Sequence, residues 1–418
     1  MKTSTKTLGG VTMKTVIAFD VSKGKSIIAA YDELGYFIFE EQFTHSRSGF
    51  VFLEEKIKFL TKKYEQTPEI VLEATGVYSR AIERFLQDHE YRYCLVNPLE
   101  ANYQTKSLRR NKTDKSDAHE LAKSHFKVER REKFHQDDYY ENMRVMSRHY
   151  NDIGEEKSFY KNKLHALLQL SFPEIEVIFK SKSTLFYNII QIFPHPDTIL
   201  NSSKTIVRNR LKKCTNKNYS LKKLDERAIQ LIEAAYESYP AIDADDYQCE
   251  LIKKYARKIL DLNREQIQII DEMATMSEGK REFQVLLSIP GIQKNTACRL
   301  IGELGNLNRF KNNKQLNAFI GIDIARYQSG NIQYKDRINK RGNRRLRSML
   351  FFMIVSMLAT KGKGSNHIVD YYYKLKGQPY NKHHKVAVIA CINKFLRMAY
   401  HLILHGQLYN YEKATNVA

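Results

Sequence analysis

The sequence predicts an α/β domain, a long helical middle and a mainly α C-terminal domain. Three observations carry this. Short apolar runs alternate with helical spacing over the first third of the chain. From about Tyr139 to Gly279 the spacing is helical almost throughout. After Arg281, helical segments flank a basic, glycine-containing stretch. The expected divisions are 1–130, 131–279 and 280–418, and 418 residues with 42% hydrophobic content supply ample core for two or three domains.

Thr15–Asp20 (TVIAFD) is a short apolar run of the kind that makes a buried strand. Ser26–Tyr31 follows, then a turn at Asp32–Gly35 and a further run at Tyr36–Phe43, which together predict an antiparallel continuation of the first strand. Ser48–Lys63 has helical spacing, Glu69–Ala74 reads as a strand, Val77–Asp88 as a helix and Tyr91–Val96 as a strand. Pro98 begins a helix, and Thr113-Asp114 begins another, because either side chain can accept from the free N–H groups of a first turn. Three strands, then helix, strand, helix, strand, helix is the order of an RNase H-like domain.

In the middle, Ile252, Tyr255, Ile259, Leu262, Gln266, Ile269, Met273 and Met276 recur by threes and fours, as in a coiled-coil seam. The seam fits either a dimerising coiled coil or a helix packed within its own chain. Gln266, its one polar member, is a candidate for fixing register or oligomeric state. The basic stretch Lys204–Lys223 reads as a loop or a connection facing nucleic acid. The last helix, about His383–Leu404, carries Val386, Ile389, Ile392 and Phe395 as its apolar positions.

Lys and Arg number 68 against 47 Asp and Glu, a net charge of +21. Such an excess favours a polyanionic partner held through phosphate contacts and counterion release. The five cysteines are scattered without CxxC or Cys/His spacing, which argues against zinc and fits free thiols in a reducing cytoplasm. The opening MKTSTKTLGGVTMKT has no apolar core, so no signal peptide is expected. The run Met349–Ala359 is too short to span a bilayer.

Four acids stand out by position. Asp20 ends the first predicted strand and Glu73 ends a strand expected beside it. Asp114 and Asp117, three apart, share one face of a helix. Carboxylate oxygens suit Mg²⁺ or Mn²⁺, and two such ions about 3.5–4 Å apart can stabilise attacking and leaving oxygens together. A single acid of this kind is ordinarily a turn or cap residue. The set in this topological order points to a metal site.

Ser329, in Arg326-Tyr327-Gln328-Ser329-Gly330, is the sole serine between Gln315 and Arg347. Basic residues surround it in sequence, so it is a candidate nucleophile, although Ser-Gly is also an ordinary turn dipeptide. Leu287–Ala297 (LSIPGIQKNTA) has the pattern of a helix-hairpin-helix, in which Gly291 and the following helix start, at Lys294, would hold a DNA phosphate. A plain helix–helix turn has the same pattern. Arg326, Lys335, Arg337, Lys340, Arg341, Arg344 and Arg345 complete the set of expected phosphate contacts.

Together, AFDVSKGK (18–25), LEATGVY (72–78), NKTDKSDAHELA (111–122), the IPGI segment and AFIGIDIARYQSG followed by NKRGNRRLR resemble the DEDD transposases of insertion-sequence family 110. The resemblance covers both ends of the chain in order, while the helical middle matches in kind only. It implies a RuvC-like N-terminal domain, a coiled-coil linker and a C-terminal transposase domain. It also implies Asp20, Glu73, Asp114 and Asp117 as metal ligands and Ser329 as nucleophile. It further implies a structured bridge RNA pairing with donor and target DNA, a phosphoserine intermediate, and a dimer or tetramer in which one protomer's metal domain meets another's serine. The expected location is the cytoplasm, with the protein on the nucleoid when bound to DNA. Many family members carry two consecutive serines. Here the first is Gln328, which leaves Ser329 as the nucleophile of choice and the role of the neighbouring position open.

Two other readings share some of these features. A metal-dependent, junction-resolving nuclease needs the carboxylates but no serine. A nucleic-acid-binding protein with a decayed nuclease fold needs only charge and the helix-hairpin-helix.

Overall fold

The computed structural model describes residues 7–8, 11–12, 14–97, 114–128, 130, 132–179, 183–215, 218–326, 328–329, 332–333, 336–360, 362 and 364–415. At 7–8, 11–12, 114–116, 328–329, 332–333 and 414–415 it describes the backbone alone. The helix expected from Pro98, the cap expected at Thr113, and Lys335 fall outside these residues. The chain divides into two compact units, Met1–His135 and Gln136–Ala418.

In the first unit a small hairpin, β1 (Thr7–Leu8) and β2 (Val11–Thr12), precedes the main sheet. The sheet comprises β3 (Val16–Ser22), β4 (Lys25–Tyr31), β5 (Phe37–Thr44), β6 (Glu69–Glu73) and β7 (Tyr93–Val96), in the order β5-β4-β3-β6-β7. β3, β4 and β5 form an antiparallel meander, and β6 and β7 add in parallel. Parallel neighbours need crossover connections. Between β5 and β6 this is α1 (Arg47–Tyr64), and between β6 and β7 it includes α2 (Arg80–Asp88). The next helix among the described residues, α3 (Asp114–Lys127), comes after β7.

The strands have period two, so their faces separate cleanly. Ile17, Phe19, Val21, Ile70 and Leu72 pack with Leu53, Ile57 and Leu60 of α1 and Ile82 and Leu86 of α2. Val16, Ala18, Val71 and Val96 pack with Ala118, Leu121 and Ala122 of α3. The result is a three-layer α/β/α unit. Two expected boundaries move. β3 continues past Asp20 to Ser22, because Ser22 still pairs with Lys25 at the hairpin end. α2 starts at Arg80 rather than Val77, since Val77 and Tyr78 belong to an exposed turn.

The second unit is built on two long helices, α4 (Asp138–Ser171) and α10 (Tyr247–Ser277). Between them lie α5 (Glu174–Ile178), α6 (Thr184–Ile192), α7 (Pro196–Leu200), α8 (Lys204–Lys213) and α9 (Leu221–Glu237). The basic stretch read as a loop is therefore largely helical. Ser203 caps α8 by accepting from Ile206 N–H, and Ser220 caps α9 by accepting from Lys223 N–H.

α4 and α10 run antiparallel. Tyr139 Oη meets Ser277 Oγ at 3.0 Å at one end, and Lys258 pairs with Glu156 at 3.3 Å farther along. The seam of α10 thus packs against α4 of its own chain. Ile252, Ile259, Leu262, Ile269 and Met273 are buried in it, whereas Met276 is exposed and Ser277 takes the inward place. Buried Gln266 donates to the carbonyl of Tyr150 at 3.0 Å and accepts from Lys157 Nζ.

The chain continues through α11 (Arg281–Ser288), α12 (Lys294–Leu304), a 3₁₀ turn (Leu307–Arg309) and α13 (Asn313–Ile320). Four two-residue strands follow: β8 (Ile324–Ala325), β9 (Gln328–Ser329), β10 (Ile332–Gln333) and β11 (Arg337–Ile338). Then come α14 (Arg344–Ala359), α15 (His367–Lys376), α16 (His384–Leu404) and α17 (Tyr411–Thr415). α16 is long and apolar enough to cross a membrane by length and composition. Its Ala387, Val388, Cys391, Ile392, Phe395, Leu396 and Ala399 lie in the core of this unit. The inward face is rotated from the expected one, leaving Val386 exposed.

Candidate active site and nucleic-acid-binding elements

Val16 to Phe19 pair in parallel with Glu69 to Leu72. Asp20 and Glu73 each follow the last of these pairs, at the carboxyl ends of two adjacent strands. By alternation both belong to the face that α3 covers, continuing Val16-Ala18 and Val71. Both are half-buried, as is Asp117. All three have polar or charged neighbours.

Two histidines dock α3 on the sheet. His125 is 1% exposed, and its Nε2 donates to Glu69 Oε2 at 2.7 Å, while Arg130 donates to its Nδ1 at 3.1 Å. Lys14 pairs with the same Glu69 oxygen at 3.1 Å. Six residues earlier, His119 accepts at Nδ1 from Tyr31 Oη (2.6 Å) and donates from Nε2 to Glu40 (2.8 Å). Burial holds the His125 imidazolium below its ordinary range, and the His125 hydrogen bond, followed by Lys14, holds the Glu69 carboxyl below its own.

Because His125 is tied to the first residue of β6, α3 runs back along the sheet against the strand direction. From Glu69 to Glu73 is about 13 Å along a strand, and from His125 to Asp117 is about 12 Å along a helix. Asp117 is therefore carried back toward the sheet end that holds Asp20 and Glu73. Asp114 is the first residue of the same helix. Among the described residues, no group of three or more Asp, Glu, His or Cys side chains is close enough to hold a metal ion. That description does not include the Asp114 side chain. Carboxylate oxygens as donors suit a hard divalent cation better than zinc or copper.

Ser329 lies at the end of a strand: it pairs with Ile332, and Gln328 pairs with Gln333. Nearer the body of the unit, Ala325 pairs with Arg337 and Ile324 with Ile338. Each ladder is a separate two-stranded antiparallel ribbon, β9–β10 with Ser329 and β8–β11 with Arg337. Arg326 and Asp336 brace the latter, with Nε to Oδ1 at 3.2 Å and Nη2 to Oδ2 at 2.9 Å. The guanidinium expected to meet phosphate is thus already held in a two-point carboxylate pair. Arg337, Lys340, Arg341, Arg344 and Arg345 are exposed, and Arg345 reaches Asp152 of α4 at 3.4 Å.

The helix-hairpin-helix segment forms α11, a tight turn and α12. Gly291 has φ +90, a conformation that favours glycine, and a Cβ there would come 2.7 Å from Met357 Cγ. One side of this glycine faces solvent, and the other is filled by Met357 of α14. Lys294 opens α12 and is exposed, with its ammonium paired to Asp271 of α10.

A transposase model of the DEDD IS110 type matches residues 17–173, which hold all four acids. The model of the transposase IS116/IS110/IS902 family matches residues 283–369, which hold Gly291, Ser329 and the basic run. The chain belongs to the IS110 family of transposases. The transposase for insertion sequence element IS1111A from Coxiella burnetii is 34% identical over 80 residues, 19% of this chain and 22% of that protein. The pilin gene-inverting proteins of Moraxella bovis and Moraxella lacunata are each 24% identical over 366 residues, 86% of this chain and 87% of theirs.

Sequence reading of this IS110-family chain did not single out His119 and His125. A signal was present: both fall on the predicted helix that starts at Asp114, six residues apart. Their partners Tyr31, Glu40 and Glu69 are 56 to 88 residues away, a pairing that no local pattern reveals.

Proposed function

We propose that this chain is an RNA-guided DNA recombinase that cuts and rejoins strands through a phosphoserine intermediate. The observation that carries the reading is the placement of Asp20, Glu73 and Asp117 toward one end of an α/β sheet in the order expected of an RNase H-like, RuvC-like domain. Ser329 on its ribbon supplies the second half. Asp20, Glu73, Asp114 and Asp117 would hold Mg²⁺ or Mn²⁺, which when bound stabilises charge on the oxygens of the scissile phosphate.

In the proposed step the Ser329 Oγ–P bond forms and the P–O bond to the departing strand breaks. The serine proton passes to solvent or a nearby base, and the departing oxygen takes up a proton. The phosphoester keeps the bond energy, so the reverse attack by a new strand end rejoins DNA without an external energy source. The Moraxella relatives support rejoining over hydrolysis. They are named for inverting a gene, and inversion needs every cut strand sealed again. A metal-dependent junction-resolving nuclease, the second reading, leaves hydrolysed ends.

The net charge of +21 and the family resemblance support two nucleic-acid partners, double-stranded DNA and a structured bridge RNA, in the cytoplasm of a bacterial cell. The proposed arrangement has three parts, with residues 1–130 as metal domain, 131–279 as linker and oligomerisation region, and 280–418 as serine domain. It works as a dimer or tetramer.

Ser329→Ala should abolish a covalent protein–DNA adduct on denaturing gels while DNA and RNA binding survive. An undiminished adduct rules out the serine assignment. Asp20→Asn or Asp117→Asn should remove cleavage, and full activity in EDTA rules out the metal role. A structured non-coding segment beside the gene, with internal loops complementary to element ends and target, is the corresponding test of RNA guidance.

A further inference from the structure

A cleft of about 480 Å³ opens in the second unit just past the β8–β11 ribbon. Arg144 and Arg148 reach it from α4, Arg309 from the 3₁₀ turn, and Arg341 from the segment just after β11. Glu303 of α12 is part of its lining and is 2% exposed. Four guanidinium groups face the buried Glu303 carboxylate, and Arg144 is also paired with Glu141 of its own helix, which still leaves a local excess of positive charge.

The cations are held in different ways. Arg309 lies over two rings, 4.6 Å from the centroid of Phe310 and 4.5 Å from that of Phe319, and donates to the carbonyl of Leu304 at 2.8 Å. Its buried Nε has no hydrogen-bond partner. Burial, then the charge of Arg144, works against its protonated form. Arg148 is half-exposed, with Nε 3.6 Å from Glu303 Oε1. That oxygen is buried without a hydrogen bond, while Oε2 accepts from Asn343 Nδ2 at 2.7 Å.

Two features fix the cleft beside the ribbon. The Lys340 N–H donates to Gly321 O at 2.9 Å, and the Asn343 N–H to Phe319 O at 2.8 Å, clamping the strand exit onto the end of α13. Gly342 lies so close to Phe319 and Gly321 that a Cβ there would collide with their backbone. Asn343 also caps α14, accepting from Leu346 N–H at 3.0 Å, so the positive end of a 16-residue helix dipole adjoins the cleft.

Crowded guanidinium groups repel one another unless an anion joins them, and their planar forks match phosphate oxygens two at a time. We propose that the cleft walled by Arg144, Arg148, Arg309 and Arg341 seats a backbone phosphate of DNA. Glu303 acts as a positioning residue that aims Arg148 and Asn343. The proposal rests on the reading of this chain as a DNA-processing enzyme, and it puts one fixed DNA contact in the segment between β11 and α14.

The test is equilibrium binding of the full chain to a duplex oligonucleotide by fluorescence anisotropy across a salt series. Arg148→Gln should weaken binding about tenfold at fixed salt and reduce the slope of log K against log salt by about 0.9. Glu303→Gln, which keeps an acceptor for Asn343 but removes a negative charge, should tighten binding. Arg341→Gln, at an exposed position, repeats the measurement if Arg148→Gln shifts the thermal midpoint. An unchanged slope in folded variants, with duplex binding intact, overturns the cleft and leaves the enzyme reading standing. A slope change with structured RNA but not duplex overturns the DNA assignment. If the unsubstituted chain does not bind duplex at all, the enzyme reading fails and the cleft falls with it.

Discussion

Asp20 and Glu73 each stand one residue beyond a parallel backbone pair, Phe19 with Leu72, on the sheet face that α3 covers. Two carboxylates so placed repel each other and gain from a shared cation. Mn²⁺ should therefore stabilise the unsubstituted protein by about 2.7 kcal/mol at a hundredfold excess over Kd and so raise its thermal midpoint. Asp20→Asn and Glu73→Gln should lose that rise while keeping their metal-free midpoints. A calorimetric scan with and without the ion reads both, and an equal rise in the variants excludes these ligands.

Two helical glycines should respond to alanine with opposite signs. Gly154 lies within α4, and a Cβ there would sit 3.5 Å from Gln266 Nε2, ordinary contact. Gly154→Ala should stabilise the chain by about 0.5–1 kcal/mol through helix propensity. Gly302 in α12 meets the carbonyl of Met143, and a Cβ would overlap it. Gly302→Ala should cost at least about 2 kcal/mol by forcing α4 and α12 apart. Denaturant midpoints with unchanged m-values check both.

His367 gives the second unit a pH dependence. It is buried and stacked on Tyr409, whose hydroxyl is 2.9 Å from its Nδ1, and burial pushes its pKa from 6.5 to about 4. A depressed folded-state value means that the stability is present above pH 6.5 and is lost as pH falls toward 4. The loss should reach at most about 3 kcal/mol across that window. His367→Gln should flatten it in thermal unfolding measured from pH 7 to 4.

Gln266 should matter for stability and not for assembly. It joins α10 to Tyr150 and Lys157 of the same chain. Gln266→Leu should cost about 1–2 kcal/mol, because Lys157 keeps only Asn263 as a hydrogen-bond partner on α10. Mass photometry should show the same oligomeric state as the unsubstituted protein, and a changed state would instead make Gln266 an assembly residue.

Much of the first unit was legible because its central strands, β3 and β6, are short, apolar and mostly buried. Val16–Ser22 and Glu69–Glu73 leave few alternatives to a buried strand, and the turn at Asp32–Gly35 sets the hairpin. A helix start at Thr113-Asp114 was legible, and the helix begins at Asp114. What closes the site was not, since Glu69 with His125 and Glu40 with His119 are contacts distant in sequence. The ribbons around Ser329 were also hidden. Their strands are two residues long, too short for any alternation to register. The seam of α10 was legible as a seam, but periodicity specifies a buried face and not whose helix covers it.

The antiparallel pair α4 and α10 also separates two cores along its length. Met143, Ile153, Leu262, Ile269 and Met273 belong to the core of the C-terminal helices, while Leu164, Leu168, Ile252 and Ile259 belong to that of the five intervening helices. Tyr160 packs against both. The distal bundle is thus a head with its own core on a two-helix stalk. Shortening or replacing that head should leave the fold around Ser329 undisturbed, provided the stalk keeps its two helices in register.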